Sequence, residues 1–216
     1  MATRPFIGVI DYGRGNLRSV AKALEKVGAR VKVSGRPGEL AGAAGLLLPG
    51  VGAFGDAMAA LERRGLAALV RRQVREQRPL LGVCLGLQLF CRDSDEFGRH
   101  RGFGFFDLPV RRFGRGLKVP HMGWNAVHDP TGCPLFRGLR PDRPFYFLHS
   151  YRVRLDAKVP AARTVYGREA FAAALWRGAL FATQFHPEKS QADGLLVYRN
   201  YWGLCRQGAL RGRAAA

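Results

Sequence analysis

The sequence predicts an α/β protein: a three-layer fold with a largely parallel central sheet, helices on both faces, and an antiparallel or mixed extension. Three observations carry this. Strand and helix patterns alternate through the first half of the chain. The strand segments there are short and apolar, as in a sheet covered on both sides. From about residue 102 glycine and proline recur, and strand-like runs follow one another across short turns.

In order, FIGVI (6–10) reads as a buried strand, and residues 16–27 as a helix ended by Gly28. Residues 31–33 form a second strand, and LLL (46–48) a third, closed by Pro49-Gly50. Residues 54–77 carry one or two helices with Gly65 between them. A fourth strand, 80–83, leads into a helix over 85–92, which places Cys91 on that helix as a core residue. Beyond residue 102, FFDLPV, FYFLHSYRV, ARTVY, FAAALW and ALFATQF read as strands that extend the same sheet. An amphipathic helix over 193–207 closes the fold. Residues 1–208 then make one domain of ordinary size, and 209–216 a frayed Arg/Ala tail.

Composition narrows the classes. Hydrophobic content of 47% and charged content of 24% are globular values. No apolar run reaches the ~18 residues of a membrane span. The N-terminal apolar stretch is shorter than the ~7–15 residues of a signal-peptide core. Cys84, Cys91, Cys133 and Cys205 show no C-x-x-C spacing, so they read as reduced thiols of a cytoplasmic protein, with no metal site and no cofactor expected. The net charge of +19 raises anionic partners as a class. The arginines are scattered and no aromatic motif interleaves them, which argues against nucleic acid.

The chemistry concentrates at strand ends, where α/β sheets place their sites. In PLLGVCLGLQ (79–88) an apolar strand runs into Cys84, with Gly82 and Gly86 two residues to either side and helix formers beyond. A side chain at such a turn needs small neighbours, the logic of a nucleophile elbow with sulfur in place of oxygen. The turn also sets the sulfur at a helix N-terminus, which favours a thiolate. The same pattern fits a small core cysteine in a Gly-rich turn. His186, in QFHPEKS (184–190), follows another apolar strand, and Glu188 can fold back to orient its imidazole. Taken alone, His186 reads first as a turn histidine capping a strand, and Glu188 as an exposed loop acid. In LLLPGVGAFG (46–55), Gly50 and Gly52 free backbone N–H groups to bind an oxyanion together with the N–H of Leu85. Val51 between them is the expected switch, its peptide turning to aim an N–H at the oxyanion. A ligand-free Gly-rich turn is the alternative there.

Together G-V-C-L-G-x-Q and F-H-P-E resemble the class I (triad) glutamine amidotransferase family, whose Cys, His and Glu hydrolyse glutamine to glutamate and ammonia. The resemblance implies Cys84 as nucleophile, His186 as general base and acid, Glu188 as its orienting partner, and Gln88, Glu96, Ser150 and Tyr151 as substrate-binding residues. DYGRGNLRSV (11–20), LPGVGAFG, KVPHMGWN (118–125), FYFLHSY (145–151) and HPEKS look like the glutaminase-subunit branch of imidazole glycerol phosphate synthase. That likeness covers nearly the whole chain and fails in the Arg-rich tail. It implies a heterodimer with a cyclase subunit, a (β/α)8 barrel that receives the ammonia for histidine biosynthesis. Asn16, His121, Met122, Gly123, Trp124, Tyr146 and Lys189 would then lie near the interface and ammonia path. Two other readings remain at this point: the glutaminase subunit of another class I amidotransferase, and a non-enzymatic Arg-rich binding protein.

Overall fold

The computed structural model describes residues 4–214, with side chains described through residue 208. The first half runs β1 (Ile7–Ile10), α1 (Leu17–Lys26), β2 (Val31–Ser34), α2 (Pro37–Leu40), β3 (Gly45–Leu48), α3 (Phe54–Arg63), α4 (Leu66–Arg75), β4 (Leu80–Val83) and α5 (Leu85–Leu89). The second half runs β5 (Cys91–Ser94), β6 (His100–Arg101), β7 (Phe106–Arg112), β8 (His121–Val127), β9 (Arg143–His149), β10 (Tyr151–Val153), β11 (Ala161–Tyr166), β12 (Glu169–Arg177), β13 (Leu180–Thr183) and α6 (Gln191–Ala214). The predicted fold class stands. The short turn α2 is an addition, nucleated where Pro37 pre-sets the first helical φ.

Seven strands form the main sheet, in the order β11-β12-β13-β4-β3-β1-β2. From β13 to β2 neighbours are parallel, and β12 and β11 add an antiparallel margin. Alternation along each strand sends side chains to opposite faces. Ile7, Val9, Leu47, Leu81 and Val83 pack in one core, which includes Val20 and Leu24 of α1 and Val197, Tyr198 and Tyr201 of α6. Ile10, Leu46, Leu48 and Leu80 pack in the other, against Phe54, Leu61, Leu66 and Val70 of α3 and α4. Every residue of β1, β3, β4 and β13 is buried, which is why these strands read as continuous apolar runs.

The structure departs from three expectations. The helix predicted over 85–92 ends at Leu89, and Cys91 opens β5 instead. The backbone there is taken up by long-range pairing: Phe103 N–H donates to Leu89 O, Gly104 N–H to Cys91 O and Phe106 N–H to Phe90 O. Cys91 is nevertheless fully buried, as expected of a core residue. The second half is also not a single extension of the main sheet. Only β11, β12 and β13 join it; β10-β7-β5-β6 form a separate four-stranded sheet, and β8 and β9 a two-stranded ribbon. The run FYFLHSYRV is divided at Ser150, so that β9 pairs with β8 while β10 pairs with β7.

The last helix continues to Ala214, beyond the predicted end at 207. The side chains of 209–216 lie outside the described residues. Among the described residues no helix is long and apolar enough to cross a membrane.

Candidate active site

Cys84 joins β4 to α5 with φ 56° and ψ −107°, a conformation costly for a residue with a Cβ. Its environment holds it there. Cys84 N–H donates to Thr183 O at 2.7 Å, and Leu87 N–H donates back to Cys84 O at 3.0 Å. The flanking glycines are there for close approach. A Cβ on Gly86 would stand 2.1 Å from Leu48 O, and one on Gly82 would stand 2.5 Å from the Phe90 ring. Cys84 is 5% exposed.

His186 lies three residues past β13, in the next parallel strand's exit. Its Nδ1–H donates to Glu188 Oε1 at 2.9 Å, and both side chains are buried. That bond fixes the tautomer and turns Nε2 toward Cys84. Nε2 is buried and has no hydrogen-bond partner within bonding geometry, a contact of the kind that tightens when substrate binds. Burial opposes charge on this imidazole. The neighbouring Cys84, by its charge and its polar contact, and then Glu188 outweigh that and lift it to about 10. Glu188 accepts a second bond from the Tyr198 hydroxyl at 3.2 Å. Burial first, then Glu188, pushes this phenol well above its ordinary range, so it stays a donor.

Tyr198 went unread in the sequence. The signal was present: Val197, Tyr198, Tyr201, Trp202 and Cys205 recur at helical spacing and are all buried.

One edge of the β8–β9 ribbon is applied to this centre. Residues of β9 alternate between bonding to β8 and facing the other way. The outward set meets the site: Tyr146 O accepts from His186 N–H at 2.9 Å, Tyr146 N–H donates to Ser190 Oγ at 3.0 Å, and Leu148 O accepts from the Cys84 thiol at 3.7 Å. The ribbon's opposite aspect carries Met122, 62% exposed, and Trp124, 48% exposed. Trp124 packs edge-on to Tyr146 with ring centroids 6.1 Å apart, and Lys189 Nζ sits 5.5 Å from the Tyr146 ring. Met122, Trp124, Tyr146 and Lys189 therefore belong to one neighbourhood, with Gly123 between the first two at φ 135°.

His121 does not lie on that exposed aspect. It is 3% exposed, stacked on Tyr166 at 4.2 Å, because alternation along β8 turns it inward while Met122 and Trp124 turn out. Its Nδ1 meets His149 Nε2 at 3.1 Å, and His149 Nδ1 meets Tyr151 O at 2.8 Å. Burial lowers His121 to about 4. Burial, with His121 and His186 adding repulsion, lowers His149 to about 3. Asn16 stands at the N-cap of α1, where its carbonyl accepts from Val20 N–H and its side chain makes no cap bond.

The predicted oxyanion loop follows β3. Gly52 has φ 101°, accessible chiefly to glycine, and Val51 is 43% exposed. Gly50 is buried against the elbow, 2.7 Å from Leu85 Cβ and 2.8 Å from Tyr12 Oη measured from an added Cβ. Leu85, just past the nucleophile position, opens α5.

The predicted substrate residues converge beside it. Gln88 Nε2 donates to Tyr151 O at 2.9 Å and to Gln184 Oε1 at 3.2 Å. Glu96 accepts from Phe54 N–H at 2.7 Å, and its half-buried carboxyl is raised, by burial first, with Asp56 and Asp95 adding to it. Glu96 in turn raises the Tyr151 phenol, so the two are close. Ser150 O accepts from Phe113 N–H at 3.2 Å at the break between β9 and β10. The other three cysteines are buried thiols. Burial pushes Cys133 and Cys205 up to about 12 and Cys91 higher still, which leaves them unreactive.

Comparison with known proteins agrees with this geometry. The family model "Glutamine amidotransferase class-I" matches residues 8–198. A similar protein is the imidazole glycerol phosphate synthase subunit HisH of Moorella thermoacetica, 49% identical over 201 residues, which are 93% of this chain and 95% of that one. The subunit of the same name from Gloeobacter violaceus is 47% identical over 205 residues, 93% of this chain and 90% of that one. Among solved structures, PurLQS from Thermotoga maritima superposes with a TM-score of 0.73 at 18% identity, covering 93% of this chain and 99% of that one. The glutaminase domain of Trypanosoma brucei CTPS superposes with a TM-score of 0.67 at 18% identity, covering 94% of each. At such identities these two report the fold alone. The elbow, the relay behind it and the match across nearly the whole chain lead to one conclusion: this protein is a member of the class I glutamine amidotransferase family.

Proposed function

We propose that this chain is the glutaminase subunit of imidazole glycerol phosphate synthase, releasing ammonia from glutamine for a cyclase subunit docked against it. The observation that carries the chemistry is a buried His186, oriented by Glu188, whose free Nε2 faces a cysteine held at a strained elbow.

The proton of the Cys84 thiol resides on His186 Nε2, the ion pair that the raised imidazole favours, and the sulfur electron pair attacks the side-chain amide carbon of glutamine. The carbonyl oxygen becomes an oxyanion, received by N–H groups of Leu85 and of the Val51-Gly52 loop. His186 returns its proton to the amide nitrogen, which departs as ammonia and leaves a thioester. Water, deprotonated by His186, cleaves the thioester to glutamate. Gln88, Glu96, Ser150 and Tyr151 line the place for the amino-acid end of glutamine. No step calls for a cofactor.

Docking is read onto the ribbon aspect with Met122, Trp124, Tyr146 and Lys189. An exposed aromatic and methionine beside a cation is the composition of an interface core and rim. The ribbon that bears this face also touches His186 and Cys84, through the backbone of Tyr146 and Leu148 on β9, so a partner seated there can act on the reaction centre. Four free, buried thiols accord with a reducing, cytoplasmic setting.

The test is glutamine hydrolysis by the subunit alone and with its cyclase. Activity is expected to rise on docking and to vanish in Cys84→Ala under both conditions. A free-subunit rate equal to that of the complex removes the partner dependence, and an active Cys84→Ala removes the mechanism. Complementation of a histidine-requiring strain decides the pathway.

A further inference from the structure

Gln184 has no assigned part in the relay of Cys84, His186 and Glu188, yet its amide lies against the reacting sulfur. The residue is fully buried, two positions before His186, with its backbone N–H bonded to Ala173 O at 2.8 Å. Its Nε2 approaches Cys84 Sγ at 3.7 Å, a length suited to the larger sulfur atom.

Which end of this amide faces the sulfur follows from a chain of obligatory roles. Tyr151 O is a carbonyl and can only accept. It takes His149 Nδ1–H at 2.8 Å and Gln88 Nε2–H at 2.9 Å, which occupies both of its lone pairs. Gln88 must therefore present its nitrogen on that side. The same nitrogen reaches Gln184 at 3.2 Å, so the Gln184 atom it meets must be Oε1. The remaining end of Gln184, the NH2 group, is turned to Cys84 Sγ. The opposite orientation would set two NH2 groups against each other in a buried, water-poor site.

The sulfur thus lies between two polar groups of opposite kind. As a thiol it donates to Leu148 O at 3.7 Å. Once its proton has passed to His186 Nε2, the charged sulfur can no longer donate, and Leu148 O offers it nothing. The Gln184 N–H offers it a bond that strengthens as charge develops, since hydrogen bonds to ionised acceptors are the stronger ones.

We propose that Gln184 is a further catalytic residue, donating its amide N–H to the Cys84 thiolate, with its orientation set through Gln88 by the Tyr151 carbonyl. The proposal rests on reading Cys84 as the nucleophile. Gln184 exchanges no proton: the thiol proton goes to His186, the electron pair stays on sulfur, and the amide bond to sulfur is given up as the thioester forms. The residue acts directly on the nucleophile and meets the amino-acid end of glutamine only through Gln88.

The test replaces Gln184 by Met, of similar length and without a donor. Two measurements are made on the full chain. The first is the rate of Cys84 alkylation by iodoacetamide at neutral pH, with Cys84→Ala as the blank. The second is glutamine hydrolysis in the complex with the cyclase. Loss of one hydrogen bond to a charged group predicts that alkylation and kcat both fall by about 10- to 100-fold, with KM changed by less than about 3-fold. A folded variant, matched to the parent by thermal melt, that alkylates at the parental rate overturns the proposal. So does a loss confined to KM. If Gln184→Met does not fold, Gln88→Met frees the Gln184 amide to rotate, and an unchanged alkylation rate there overturns the proposal as well. Alkylation needs no substrate. A parent protein that alkylates at Cys84 but hydrolyses no glutamine therefore fails the functional reading and leaves the Gln184 measurement intact.

Discussion

Tyr198 holds Glu188, Glu188 holds His186, and only the last of these reaches the sulfur. A buried carboxylate aimed at a protonating imidazole is stabilised by each donor it keeps. Tyr198→Phe removes one donor and almost no volume. We expect kcat to fall by about 3- to 30-fold with KM little changed, the effect of one hydrogen bond to a charged acceptor. Steady-state glutaminase kinetics in the complex check this, and wild-type kcat in the variant would show that Glu188 needs no second donor. Cys84 and His186 could be named from local pattern because their chemistry sits at the ends of apolar strands. Tyr198 shows in the sequence only as part of a buried helical stripe, and Gln184 and His149 could not be named at all: their contacts, to Cys84 and His121, cross long sequence separations, and each fits the description of an ordinary buried polar residue.

The ribbon β8–β9 is the element where the sequence reading was least complete. Its motifs, KVPHMGWN and FYFLHSY, stand out in the sequence as a group, but alternation sorts them into three environments: Met122 and Trp124 outward, His121 and His149 inward, and the backbone of Tyr146 and Leu148 against the relay. The inward pair has a consequence for acid stability. His121 and His149 titrate lower in the folded chain, at about 4 and about 3, than in the unfolded one. Below their unfolded value the unfolded chain binds more protons, so stability present at neutral pH is lost as pH falls from about 6.5 toward 3. His186 has the opposite sign: raised to about 10, its contribution is complete below its unfolded value and is lost as pH rises through 10, so it does not produce the acid limb. Urea unfolding across the acid range should therefore show a slope in His149→Gln shallower than in the parent by up to about 1.4 kcal/mol per pH unit. Parallel slopes would mean that the pair is not neutral in the folded protein.

For the molecule as a whole, charge is the property that fold and site leave unexplained. The chain carries 35 basic and 16 acidic residues, so with one acid to a base more than half of its basic residues have no acidic partner within it. Ion pairs such as Arg14–Asp56 and Arg71–Glu62 lie at the surface, where each contributes little. A net charge of +19 acts instead at a distance, on the rate of encounter with an acidic partner face. We expect the association rate with the cyclase to fall by about 10-fold or more from low to high salt, while dissociation changes little. Stopped-flow binding at several salt concentrations measures both. An association rate indifferent to salt would leave the charge without a role in docking.

The α/β class, the parallel strands, the elbow at Cys84 and the candidate relay to His186 and Glu188 were legible in the linear chain. These depend on short-range rules: apolar runs, helix periodicity, and glycine where backbones crowd. The division of FYFLHSYRV between two sheets, the early end of α5, the burial of His121 and the polarity of the Gln184 amide were not. Each is set by which distant backbone or carbonyl a group meets, as when Phe103 N–H captures Leu89 O or Tyr151 O orients Gln88. Pairings of that kind follow from the packed chain as a whole, and no local pattern encodes them.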